Sequence, residues 1–180
     1  MKVEINKSMK LSEHFTLGEL CKTKHDTEDG NIPSRVAIEN LKRICENWLE
    51  DLRYSYNMLY VHSGVRPQSK VAGDCTLVPD PRAAPETEEP IVINSGYRSP
   101  AVNQLAGGAK TSNHLSGCAV DIRCVGKEQM IRYASILLDI ADGTKQDFDE
   151  LLLEQHGSVC WLHFAVRPKD NRRRIGFIRT

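Results

Sequence analysis

Two histidines and one aspartate define the chemistry open to this chain. His114 and Asp121 lie in Thr111-Ser112-Asn113-His114-Leu115-Ser116-Gly117-Cys118-Ala119-Val120-Asp121-Ile122, and His163 follows in Trp161-Leu162-His163-Phe164. Two imidazoles and a carboxylate form a three-ligand set for zinc that leaves a fourth tetrahedral position for water, the arrangement of catalytic rather than structural zinc. Leu115-Ser116-Gly117 reads as a turn and Cys118 to Ile122 as a short strand, so a His before the turn and an Asp inside the strand can converge on one point. From Val159 to Val166, strand alternation places Trp161, His163 and Ala165 on one face, from which His163 can reach the same metal. Spacing alone leaves a second reading open, because a histidine in an apolar strand is also an ordinary hydrogen-bonded core residue.

The flanking residues narrow the choice. Ser112-x-His114-x-x-Gly117-x-Ala119-x-Asp121 is preceded by Ser95-Gly96-Tyr97-Arg98-Ser99 and followed by Trp161-x-His163. In that order these elements closely resemble the zinc D-Ala-D-Ala carboxypeptidase and L-alanyl-D-glutamate endopeptidase family of bacterial peptidoglycan. Phe15-Thr16-Leu17-Gly18-Glu19-Leu20 resembles the start of its single-domain branch, and Asn103 with Gly107-Gly108 fits the link between the Arg motif and the first ligand. The resemblance implies a hedgehog or D-Ala-D-Ala peptidase-like fold and a Zn2+ cofactor held by His114, Asp121 and His163. The implied substrate is a peptidoglycan peptide or a D-Ala-containing precursor.

The resemblance also assigns roles. Arg98 would hold a substrate carboxylate or the scissile carbonyl and stabilise the charge that builds on oxygen as water adds; without the ligand triplet it would read as a structural arginine. Ser112 is similar in position to a family residue that contacts substrate, although by itself a Ser there is an ordinary turn residue. Ser63-Gly64-Val65-Arg66 partly echoes the Arg motif, but Arg98 is better placed, directly before the segment leading to His114. The general base must be a group within reach of the attacking water. In several relatives a Glu stands three residues before the last His, whereas this chain has Cys160. Glu154 resembles the base placed further upstream in the single-domain branch, with Glu150 and His156 as alternatives.

Positioning these residues takes an α+β domain. Thr16-Leu17-Gly18-Glu19 matches a capping box and should open a short helix. Between Ser34 and Arg53, Val36, Ile38, Leu41, Ile44, Cys45, Trp48, Leu49 and Leu52 recur at helical spacing, with Trp48 a packing residue. Ile91 to Ser95 reads as a strand, Pro100 to Ala106 as a short helix, and Lys127 to Ala141 as a long helix bearing Met130, Ile131, Ala134, Leu137, Leu138 and Ala141. Phe148 to Glu154 and Val159 to Val166 read as a hairpin turning at His156-Gly157-Ser158. The expectation is a small, mostly antiparallel sheet with helices packed against it and zinc on the sheet surface. Residues 66–90, rich in Pro and polar side chains, read as an inserted surface loop. Residues 167–180 read as a basic tail, part of which Ile175 and Phe177 fold back.

Composition bounds the rest. The chain's 180 residues, 40% hydrophobic, suffice for one core, and 1–180 is expected to be a single zinc peptidase domain acting as a monomer. Lys plus Arg and Asp plus Glu both total 24, which argues against nucleic acid and membrane surfaces as partners. The six cysteines are scattered and form no Cys-x-x-Cys pair, so free thiols are expected. The amino terminus lacks an apolar export segment. Synthesis in the cytoplasm and action at the cell envelope are therefore expected, as for a phage-type lysin, with a cytosolic dipeptidase as another possibility. A non-catalytic wall-binding or phage structural module on the same fold is the competing functional class.

Overall fold

A computed structural model describes residues 6–61 and 88–179. The inserted loop up to residue 87 and the Arg66 echo lie outside the described residues. Helix α1 (Leu17–Leu20) begins at the expected capping box: Thr16 accepts from the Glu19 amide, and the Glu19 carboxylate accepts from the Thr16 amide. The second helix, α2, runs over residues 35–61. Two π segments, Cys45–Leu49 and Asn57–Val61, interrupt its regular segments Arg35–Ile44 and Glu50–Tyr56.

Ser34 caps α2 by accepting from the Ala37 amide. Leu41, Ile44, Cys45, Trp48, Leu49 and Leu52 are buried as the periodicity requires, whereas Val36 is 64% exposed and Ala37 takes the inward place. Each π segment adds a residue to its turn and rotates the rest of the helix about its axis, a shift that a fixed 3.6-residue period cannot show. Past the undescribed segment, the chain re-enters tied to α2: Asn57 exchanges hydrogen bonds with the Glu89 backbone, and Arg53 pairs with Glu88 at 2.6 Å.

Five strands complete the fold: β1 (Ile93–Ser95), β2 (Ala119–Cys124), β3 (Glu150–His156), β4 (Val159–Ala165) and β5 (Arg174–Arg179). They form one sheet in the order β1-β2-β4-β3-β5, antiparallel except for the parallel β3–β5 pair. Between β1 and β2 lie α3 (Pro100–Leu105) and a 3-10 turn (Asn113–Ser116); between β2 and β3 lies α4 (Gly126–Thr144). In α4 the inward face carries Met130, Tyr133, Ala134, Leu137 and Ala141, while Ile131, expected inside, is 57% exposed.

The carboxy-terminal segment differs from a simple tail. Residues 174–179 complete β3 as a parallel edge strand, although Ile175 and Phe177 stay largely exposed. Its basic side chains obscure the strand in the sequence because their partners are the distant Asp149, Glu150 and Asp142.

The sheet has two chemically different faces. Registers Val120↔Phe164↔Leu151 and Ile122↔Leu162↔Leu153 put apolar side chains on one face, where α2 and α4 cover them. Trp48 of α2 packs edge-on against Phe164, with ring centroids 5.0 Å apart, and against Phe148 at 6.4 Å. Asp121↔His163↔Leu152, with Glu150, Glu154 and Trp161, occupy the other face. All five described free cysteines are buried, and burial pushes the thiols of Cys21 and Cys124 up to about 12, so they act as small apolar groups.

One buried carboxylate joins the elements under that second face. Asp149, fully buried before β3, accepts from Arg172 at 2.6 and 2.8 Å, from Arg167 at 2.8 Å and from Asn113 at 2.8 Å. Burial alone would raise its pKa, but the Arg172 and Asn113 hydrogen bonds hold it at about 2. Because the folded value lies below the unfolded one, this contribution is present above about pH 4 and is lost as pH falls through about 2. Its size is about 1–2 kcal/mol after allowance for the half-exposed Arg172. Asp149→Asn is expected to flatten the fall in stability between pH 4 and 2 while lowering stability at pH 7; urea unfolding across that range checks it, and an unchanged acid slope would refute it.

Candidate metal centre

The 3-10 turn presents His114. Ser112 caps it by accepting from the His114 amide at 3.3 Å, and Asn113 ties it to Asp149. Gly117 ends it in the left-handed region at φ 69°, with an added Cβ only 2.4 Å from the Ala37 carbonyl oxygen of α2. Asn40 of α2 donates to the Ser116 carbonyl at 2.9 Å. The turn is thus clamped between α2 and β3.

His114 Nδ1 lies 2.5 Å from the Gly96 carbonyl, which fixes Nδ1 as the donor and leaves Nε2 with its lone pair. That Nε2 is 3.3 Å from Asp121 Oδ1. Across the β2–β4 register His163 lies opposite Asp121, and its Nδ1 is 2.9 Å from the same oxygen. The three residues are buried, and their candidate donor atoms lie within 4.8 Å of one another, the only such metal-competent group among the described residues. Two nitrogens and one oxygen converging in this way fit a divalent ion of borderline softness such as zinc.

Electrostatics at the cluster come from sharing one carboxylate. Burial opposes ionisation of Asp121, but the charges and hydrogen bonds of His114 and His163 hold its carboxyl far below the usual range. Burial would lower the pKa of His163, yet Asp121 and Glu150 raise it to about 9, so without metal its imidazolium bridges two carboxylates. Arg98 pairs with Asp121 Oδ2 and donates from Nε to Ser95 Oγ at 2.8 Å. Both ends of the Asp121 carboxylate are therefore fixed, one by the imidazoles and one by the guanidinium.

The two candidate carboxylates on β3 differ sharply. Glu150 lies 3.5 Å from His163 Nε2 and also meets Arg172 at 3.0 Å, Arg174 at 3.1 Å and Asn113 at 3.2 Å. The His163 hydrogen bond is the largest influence lowering its pKa. Glu154, opposite Trp161, is half-buried; burial raises its pKa, and the Trp161 side chain is its hydrogen-bond donor. His156 stands exposed at the end of β3. Cys160 is buried on the opposite side of β4 from His163, facing the helices. An acidic residue there would enter the core, so the departure from the relatives' pattern removes no group from this face.

A cavity of about 430 Å³ reaches the cluster at Asp121 and is lined also by Arg98, Ser95 and Trp161 and by Lys22, Lys24 and His25. Ser112 is instead occupied as the cap of the 3-10 turn. Asn31 is a residue that sequence reasoning missed. At φ 52° its amide donates to the carbonyls of Cys21 and Tyr97 and accepts from the Ser99 amide, stapling the segment after α1 to the Arg98 motif. The adjacent Gly30 signals a turn, but nothing local signals the staple.

A model of the family described as Peptidase M15 matches residues 61–149. That span contains Arg98, Ser112, His114 and Asp121 and stops before Glu154 and His163, which the sheet register supplies. A search of curated proteins found no match. The family model and the converging His114, Asp121 and His163 point to the same chemistry: over residues 61–149 the chain is similar to the peptidase M15 family, a family of metal-dependent peptidases.

Proposed function

We propose that the chain is a zinc peptidase hydrolysing a D-amino-acid-containing peptide bond in peptidoglycan or its precursors. The observation that carries this reading is the convergence of His114, Asp121 and His163 on one point, with Asp121 lining the cavity and Glu154 raised in pKa on the same sheet face. Zinc held by these three residues supplies Lewis acidity and makes water nucleophilic near neutral pH. Glu154 accepts the proton of the attacking water and returns one to the leaving amine. A half-buried carboxylate without a cationic side chain bonded to it suits that exchange, whereas Glu150 is tied to two arginines, Asn113 and His163.

Arg98 has two tasks in this reading. Its Nη2 orients Asp121, and its position on the cavity wall lets the guanidinium meet the oxygen on which charge develops. Ser112 keeps His114 in place as the cap of the 3-10 turn. The non-catalytic binding module is the competing outcome, recognised by zinc and peptide binding without turnover. Action at the cell envelope belongs to this reading, and no helix among the described residues is long and apolar enough to cross a membrane.

Two measurements test the assignment. His114→Ala and His163→Ala should each lose most of the zinc found in the wild-type protein by elemental analysis; full retention in both would move the metal elsewhere. Glu154→Gln should keep its zinc while kcat on a D-alanine-terminated peptidoglycan peptide falls by about 10²–10⁴-fold. Glu150→Gln should act mainly through stability. If Glu154→Gln stays within a few-fold of wild type while Glu150→Gln abolishes turnover, the base is Glu150.

A further inference from the structure

One part of the cavity lining has no role in the chemistry above. It is made by Lys22, Thr23, Lys24 and His25, the segment leaving α1. Lys22 and Lys24 are exposed, and neither has a carboxylate partner among the described residues. Among the described residues Asp121 is the only acid lining this cavity, and Arg98, His114 and His163 already share it. The adjacent Asp26 lines a neighbouring cavity, which shares Lys22, Thr23 and His25 with this one. The cleft therefore offers uncompensated positive charge to whatever enters it.

The wall is also built into the fold. Thr23 Oγ1 accepts from the His25 amide at 3.1 Å and closes the turn. At one end the Leu20 carbonyl accepts from the Tyr97 amide at 2.7 Å, so close that a Cβ on Gly96 would lie 2.4 Å from that oxygen. At the other end Asn31 bonds to Cys21, Tyr97 and Ser99. The residues that hold the lysines are thus the backbone neighbours of Arg98 and, through Gly96, the hydrogen-bond partner of His114. Val102, Ala106 and Trp161 complete the lining with apolar surface suited to a small aliphatic side chain.

We infer that Lys22 and Lys24 form a carboxylate-binding subsite, fixing a free carboxylate of the peptide substrate across the cleft from the metal cluster. This rests on the peptidase reading and deepens it, since the bound carboxylate sets which peptide bond lies over His114, Asp121 and His163. The carboxylate belongs either to the chain terminus, which makes the enzyme a carboxypeptidase, or to an acidic side chain further along the peptide, which makes it an endopeptidase.

Three synthetic peptides separate these sources: a D-alanine-terminated peptide containing one D-Glu, its C-terminal carboxamide, and the free-terminus analogue with D-Gln for D-Glu. Binding is measured by calorimetry to zinc-loaded Glu154→Gln protein, with and without Lys22→Met and Lys24→Met, which keep the aliphatic stems. The expected result is a loss of about tenfold for one of the two amides. The lysine substitutions should weaken the parent peptide by a similar factor and leave that amide unaffected, with zinc content and thermal midpoint unchanged. Equal weakening of all three peptides, no effect of the lysines, or no binding to the Glu154→Gln protein overturns the subsite. Hydrolysis by the wild type is assayed separately: differential binding without cleavage sinks the catalytic reading while the subsite stands, and cleavage without differential binding does the reverse.

Discussion

The Asp121 carboxylate is the constraint on which the site depends. One oxygen faces an imidazole nitrogen on either side, and the other is gripped by Arg98. A buried carboxylate of this kind is costly unless every lone pair is satisfied. The surrounding protein meets that demand with groups from three places: the 3-10 turn, β4 and the segment after β1. His114, Asp121 and His163 would hold a divalent ion here, and the Arg98 contact would keep the Asp121 carboxylate oriented.

The fold separates support from chemistry by strand alternation. Val120, Ile122, Leu162 and Phe164 point toward α2 and α4, while Asp121, Trp161 and His163 point to the cleft. A one-residue slip between β2 and β4 would exchange these sets, so the same packing that stabilises the sheet specifies the ligand register. Trp48, wedged between Phe148 and Phe164, therefore supports His163 indirectly from the far side of β4.

The sequence showed most of the periodic and motif-like features. The capping box, the helical stripe from Leu41 to Leu52, the hairpin and the convergence of His114, Asp121 and His163 were all readable because each depends on spacing along the chain. Val36 and Ile131 were misplaced because local helix rotation is set by tertiary contacts and, in α2, by π turns. The fifth strand was hidden because its arginines look like a solvated run until Asp149 and Glu150 are placed beside them. Asn31 and Asn113 act through contacts to chain segments far away, and no local pattern carries that information. The distinction between Glu150 and Glu154 likewise needed the neighbours of each carboxylate, since strand parity puts both on the same face.

The parallel edge strand gives the site two levels of kinetic protection. β2 and β4 are interior strands, hydrogen-bonded on both sides, so amide exchange near Asp121 and His163 requires opening of the sheet's centre. β5 is bonded on one side only, and its opening breaks the β3–β5 ladder while leaving β2–β4 paired. Fraying of this edge releases Arg174 from Glu150 without unlocking the ligand pair. The charge environment of the β3 carboxylates thus depends on an edge that can open while the β2–β4 register stays paired.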